Sequence, residues 1–258
     1  MNKGIVRLEV DGGLATVTFD RPQERNAMTW AMYQQLGEIS ASLARDRSLR
    51  AVLFRGEGGK AFVAGTDIAQ FAEFEGGEAG VEYERRIDAC MAGLEVLPMP
   101  TIALLDGWTV GGGLAIATAC DFRLGTPGAK LGVPIARTLG NCLSMANLAR
   151  LAAAFGNQRV KRMLLLAEII GADEALACGY LHAVVDAVQL QAEGVALARR
   201  LAALAPVTQR VVKEGLARLE LRGLPDADDL IRQAYGSSDF REGVQAFTAK
   251  RPPMWRGE

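Results

Sequence analysis

The chain has 258 residues, half of them hydrophobic, and a formal net charge of −1, enough to bury a sizeable core in one large domain or in one with an appended subdomain. That charge balance excludes a basic surface for nucleic acid or anionic membrane, and no uncharged apolar run reaches the length of a membrane span. Cys90, Cys120, Cys142 and Cys178 are far apart, fit no metal or CxxC spacing, and read as small buried hydrophobes; with an N-terminus unlike a signal peptide, they lead us to expect a cytoplasmic protein without a metal site.

The elements follow in order. "GIVRLEVDGGLATVTFD" is two alternating runs around Asp11-Gly12-Gly13, a hairpin signal. "NAMTWAMYQQLGEISASLARD" has helical spacing and a cap near Thr29. "LRAVLFRG" reads as a short strand, and "KAFVAGTDIAQF" as a strand, a turn at Ala64-Gly65 and a helix start. Glu75 to Glu82 is rich in Gly and Glu and reads as a mobile loop. "YERRIDACMAGLEVLP" is a helix ended by Pro98 and Pro100. "TIALLDG" is a buried strand before Gly111-Gly112-Gly113, which opens a helix of small apolar residues. After "CDFRLGTPGAKLGVP", which reads as short strands and turns, the pattern becomes helical from about Asn141. An α/β core with a helical C-terminal part is expected.

"FVAGTDI" and "DGWTVGGGLAIA" share one logic: a strand enters a glycine turn and then a helix. Such a turn frees backbone N–H groups at the positive end of a helix, and two of them aimed at one oxygen form an oxyanion hole. Close packing of helix on strand explains the same glycines equally well. Other readings fit less well. Ile116 stands where a dinucleotide fingerprint needs its third glycine, Gly59-Lys60 lacks the Ser/Thr of a P-loop, and no G-x-S-x-G elbow occurs. The single histidine, His182, is far along the chain from both turns and reads as structural.

Together and in this order, "ATVTFDRPQERNAM", "KAFVAGTDI", "DGWTVGGGLAIATACDFR", "IIGADEALACGYLHAVV" and "DFREGVQAFTAKRPPMW" resemble the crotonase, or enoyl-CoA hydratase/isomerase, superfamily over nearly the whole chain. The resemblance implies an α/β (α+β) spiral of ββα turns with two roughly perpendicular sheets over 1–195. It also implies a C-terminal helical region over 196–258 that drives formation of a trimer, or of a hexamer of two trimers. An acyl-CoA thioester is the implied partner, with coenzyme A entering as part of the substrate and no further cofactor. By position, the oxyanion donors would be the backbone N–H groups of Thr66 and Gly112. The family usually has Ala where Thr66 stands. Coenzyme A contacts would carry over to Arg25, Ala27, Ala64, Asp67 and Ile68, and to Phe247 and Lys250 in the tail, where Lys250 reads equally well as an ordinary solvated lysine.

The chain departs from the hydratase pattern at both acids. Ala115 and Ile135 stand where the family's two glutamates position and activate water. Groups of that kind typically contribute about 10²–10⁴-fold each. Their loss favours isomerisation, decarboxylation or C–C cleavage over hydration, with a non-catalytic acyl-CoA binding protein as the alternative. Candidate replacements are Arg137, Thr138, Asn141, Cys142 and Ser144 downstream, and Glu73, Glu75, Glu78, Glu82 and Tyr83 in or after the acidic stretch. Asp106 and Asp121 read as structural, and Trp108 as either pocket wall or core.

Overall fold

The computed structural model describes residues 4–257, so the first three residues of the N-terminal run lie outside it. Ten strands form two sheets: β1 (Ile5–Asp11), β2 (Leu14–Asp20), β3 (Ala51–Gly56), β4 (Ala61–Ala64), β5 (Thr101–Leu105), β6 (Trp108–Val110), β7 (Phe122–Gly125), β8 (Lys130–Gly132), β9 (Ile170–Gly171) and β10 (Ala183–Val184). Their orders are β1-β2-β3-β5-β7-β10 and β4-β6-β8-β9. The helices are α1 (Trp30–Arg45), α2 (Gly77–Glu95), α3 (Gly112–Ala119), α4 (Ile135–Thr138), α5 (Met145–Phe155), α6 (Asn157–Leu165), α7 (Ala172–Ala177), α8 (Leu190–Ala202), α9 (Pro206–Glu220), α10 (Asp228–Gly236) and α11 (Ser238–Thr248).

The repeating unit is legible in that order. β3-β4-α2, β5-β6-α3 and β7-β8-α4 each send their first strand to the larger sheet and their second to the smaller one. Within each sheet these strands pair in parallel, as the intervening crossovers require, while β1 and β2 form the antiparallel hairpin expected at Asp11-Gly12-Gly13. The core lies between the sheets and α1 to α3, with Phe19, Phe54, Phe62, Met32 and Leu114 fully buried. A second cluster on the outer face of the larger sheet joins Leu53, Ile102 and Leu124 to Leu197 and Leu201 of α8. Residue 195, where the core was expected to end, lies within α8.

α1 begins where expected, with the Thr29 side chain accepting the Met32 N–H. One expectation is corrected: from Gly77 onward the acidic stretch is helix, leaving only 74–76 as the link from the preceding 3-10 turn. Tertiary packing overrides its poor helix composition. A Cβ on Gly80 would press into the Tyr235 side chain, and one on Gly77 into the Arg232 backbone, so both glycines let α10 lie against α2. No helix among the described residues is long and apolar enough to cross a membrane.

Candidate active site

The two glycine turns meet at the end of the smaller sheet. β4 and β6 run parallel, with Ala64 opposite Val110, so their following glycines emerge side by side. Gly65 and Gly111 both adopt left-handed φ, +83° and +52°, which explains why glycine is needed at each. The neighbouring glycines have different reasons. A Cβ on Gly113 would strike the Val63 carbonyl, so it permits α3 to pack on β4; one on Gly112 would meet the Tyr33 hydroxyl.

Backbone bonding orients the two candidate donors. Met28 donates to the Gly65 carbonyl at 2.8 Å and accepts from the Asp67 N–H at 2.9 Å. In this parallel bridge the groups of Met28 point at the 65–67 strand, so those of Thr66 point the other way, to the side where β6 continues into Gly111-Gly112. Gly112 is the first residue of α3, where an N–H has no intrahelical acceptor. Among the described residues neither the Thr66 nor the Gly112 N–H appears in a hydrogen bond. Two free donors therefore sit on adjacent turns, backed by a buried apolar helix.

The structure brings five of the seven expected coenzyme A residues together. Arg25 and Ala27 lie in the turn after β2, while Ala64, Asp67 and Ile68 flank Gly65. The Ala64 N–H donates to the Arg25 carbonyl at 3.0 Å, and Asp67 pairs with Arg21 at 2.8 Å. Phe247 and Lys250 lie exposed near the end of α11, and no hydrogen bond, ion pair or ring contact among the described residues ties them to those five. Trp108 is half-buried, and its ring is flanked by the Lys130 ammonium at 4.8 Å and the Arg25 guanidinium at 5.9 Å.

Ala115 and Ile135 are partly buried against the main core. Of their candidate replacements, Arg137 is exposed, Thr138 donates back to the Pro134 carbonyl, and Ser144 caps α5. Glu73, Glu75, Glu78 and Glu82 are all exposed, with Glu78 paired to Arg232 and Glu82 to Arg86. Tyr83 instead turns inward. Its hydroxyl lies 2.9 Å from Thr66 Oγ1, which lies 2.8 Å from the hydroxyl of Tyr33. Burial raises the pKa of both phenols above the ordinary tyrosine range, so both are neutral.

Beside Tyr83 stands a carboxyl the sequence reading passed over. Glu84 is 3% exposed and has no cation partner among the described residues. Its oxygens accept from the Tyr235 hydroxyl at 2.7 Å and the Ser144 N–H at 2.9 Å. Burial outweighs those bonds and pushes its pKa up to about 7. Asn141 donates to Tyr235 at 3.1 Å, while its own buried Oδ1 has no hydrogen-bond partner. Asp121 and Asp106 are structural as expected: Asp121 accepts from Thr101 and pairs with Lys213 of α9, and Asp106 accepts from Thr126. His182 lies exposed against Phe122. The four cysteines are free; burial pushes the Cys90, Cys120 and Cys142 thiols up to about 12.

Comparison with known proteins agrees with this architecture. The family model for enoyl-CoA hydratase/isomerase matches residues 9–258. The short-chain-enoyl-CoA hydratase of Clostridium acetobutylicum is 30% identical, with 95% of each chain covered. The crystal structure of an enoyl-CoA hydratase/carnithine racemase from Magnetospirillum magneticum is 34% identical, covering 100% of this chain and 97% of its own, with a TM-score of 0.80. A methylmalonyl-CoA decarboxylase complexed with 2S-carboxypropyl CoA is 25% identical, with 98% of each chain covered and a TM-score of 0.88. The chain belongs to the enoyl-CoA hydratase/isomerase family and is an enzyme of that family.

Proposed function

We propose that the protein binds an acyl-CoA thioester and stabilises an enolate-type intermediate through the backbone N–H groups of Thr66 and Gly112. The observation that carries this reading is the pair of unpaired donors on adjacent glycine turns. Charge moving onto the thioester oxygen strengthens both bonds in the transition state, and such donors are worth about 3 kcal/mol each. Coenzyme A would lie along Arg25, Ala27, Ala64, Asp67 and Ile68, with Phe247 and Lys250 toward its nucleotide end. The cations at Arg25 and Lys130 suit its phosphates. The chemistry asked of the site needs no cofactor beyond the substrate's own coenzyme A.

Ala115 and Ile135 argue against hydration, although relatives are named hydratases. Neither side chain can move a proton or orient water. Isomerisation, decarboxylation and C–C cleavage need the enolate but not those two glutamates. Val207 and Val211 on one side of α9, and Leu216 and Leu219 on another, are each more than half exposed, in keeping with a trimer or a hexamer.

The test is hydrogen–deuterium exchange at the carbon beside the thioester carbonyl. A saturated short-chain acyl-CoA is incubated with the protein in heavy water and weighed by mass spectrometry. Enzyme-dependent exchange that disappears in Gly112→Val is the expected result. Thioester binding without exchange, and without conversion of any acyl-CoA offered, would favour a binding protein on the same fold.

A further inference from the structure

The family's usual alanine is replaced here by Thr66, and the structure shows what the added hydroxyl touches. It bridges Tyr33 of α1 and Tyr83 of α2, two tyrosines only 8% exposed each. Three elements distant in sequence thus place three hydroxyls beside one of the two free N–H groups. The chain of hydroxyls also reaches the other donor, because the space a Gly112 side chain would fill is taken by the Tyr33 oxygen. An ideal Cβ on Gly112 would lie 3.3 Å from Thr66 Oγ1 as well.

Counting hydrogens shows what the cluster leaves unsatisfied. Three hydroxyls carry three hydrogens, yet only two bonds of hydrogen-bond geometry join them. The two phenol hydroxyls also interact with each other and each shifts the other's ionisation, but no direct bond as well formed as the two to Thr66 joins them. Outside these three hydroxyls, neither phenol oxygen has a hydrogen-bond partner among the described residues. One hydroxyl hydrogen is therefore without a well-formed acceptor, whichever way the chain is oriented. When Tyr83 donates to Thr66 and Thr66 to Tyr33, the spare hydrogen is the Tyr33 one, at Gly112. A buried spare donor is costly unless something accepts from it.

We infer that the Tyr33 hydroxyl, held and polarised by Thr66 and Tyr83, is a third donor to the thioester oxygen that the Thr66 and Gly112 N–H groups receive. The inference rests on the acyl-CoA reading above. Tyr33 is the catalytic member, since it would touch the reacting oxygen; Thr66 Oγ1 and Tyr83 are positioning residues. A neutral phenol suits the role: it supplies a hydrogen bond without a fixed charge and acts in a site walled by Trp30 and Phe71. The device adds electrostatic stabilisation where the chain lacks its family's acids.

The experiment uses butyryl-CoA carrying ¹³C at the carbonyl. Isotope-edited infrared difference spectra of the bound thioester read the strength of hydrogen bonding to that oxygen directly, without requiring turnover. Binding is measured by calorimetry and folding by thermal melts. The wild-type carbonyl stretch should fall below its value in water. Tyr33→Phe should return it part of the way and slow α-carbon exchange about 10²-fold. Thr66→Ala should have a smaller effect, Thr66→Ser should restore the wild-type spectrum, and Tyr83→Phe should have the smallest effect. A full wild-type downshift retained in folded Tyr33→Phe and Thr66→Ala would overturn the third donor while leaving the backbone pair standing. No binding, or no downshift in the wild type, would overturn the acyl-CoA reading and this inference with it.

Discussion

α2 carries two adjacent polar faces that are built on opposite plans. Tyr83 faces the glycine turns and joins a chain of neutral hydroxyls with one hydrogen to spare. Glu84, one residue on, and Asp88, a turn further, face α5 and α10 in a network of charges. Ser144 gives its N–H to Glu84 and its hydroxyl to Asp88. Arg150, 2% exposed, reaches Asp88 at 3.5 Å and clamps both oxygens of Glu95 at 2.6 and 2.8 Å. The contrast separates scaffold from site. On the charged face the buried atom left without a partner is an acceptor, Asn141 Oδ1, whereas in the hydroxyl chain the group without a well-formed partner is a donor, which is what a ligand oxygen requires.

The largest expected effect lies on the committed face. Arg150→Ala strands Glu95 and Asp88 beside an empty buried space. Breaking a buried ion pair from one side costs about 3–5 kcal/mol. Urea denaturation should show a loss of that size. Arg150 also lines a small cavity with Gly111 and Ala115, so α-carbon exchange per folded molecule should fall as well, by less than in Gly112→Val.

Glu84 gives the next effect, and it depends on pH. Its folded-state pKa of about 7 exceeds the reference value of 4.5. Between those values the native state keeps a proton that the unfolded chain has released, so stability falls as pH rises through this window. The full loss is on the order of 3 kcal/mol. Asp88, also raised by burial, adds in the same direction, and the phenols of Tyr33, Tyr83 and Tyr235 remain neutral throughout. Glu84→Gln should flatten the stability curve between pH 5 and 8. An unchanged slope would mean that Glu84 ionises freely and that the network is not as dry as its burial indicates.

The two faces were unequally legible in the sequence. The strand–glycine–helix turns are local, so "FVAGTDI" and "DGWTVGGGLAIA" announced both N–H donors. The same holds for the hairpin and the Thr29 cap. The hydroxyl chain is not local: positions 33, 66 and 83 meet only through the packing of α1 and α2 around the turn. Its one visible sign was Thr66 in place of the usual alanine. Glu84 was hidden by its neighbours, since four exposed glutamates precede it in a stretch whose composition resembles a solvated loop. What buries it is α10, whose Tyr235 arrives 151 residues later and is brought close by Gly80. Composition records the exposed acids and the buried one identically.

Removing one hydroxyl from each face offers the sharpest comparison, because the chemical change is the same. Tyr235→Phe deletes a donor to a buried carboxyl and leaves Asn141 without its acceptor. Leaving such groups unsatisfied costs about 1–3 kcal/mol, and the Glu84 pKa should rise further as its stabilising bond is lost. Tyr83→Phe deletes a member of a chain that already holds one hydrogen too many. Thr66 keeps Tyr33 as its partner and no charge is exposed, so stability should change by about 0.5 kcal/mol or less. Thermal melts of the two variants, run side by side at pH 6 and pH 8, should separate them at both values. Equal losses would mean that the Tyr83 hydroxyl is as structurally committed as that of Tyr235, and the spare hydrogen would then be engaged within the protein rather than held for a ligand.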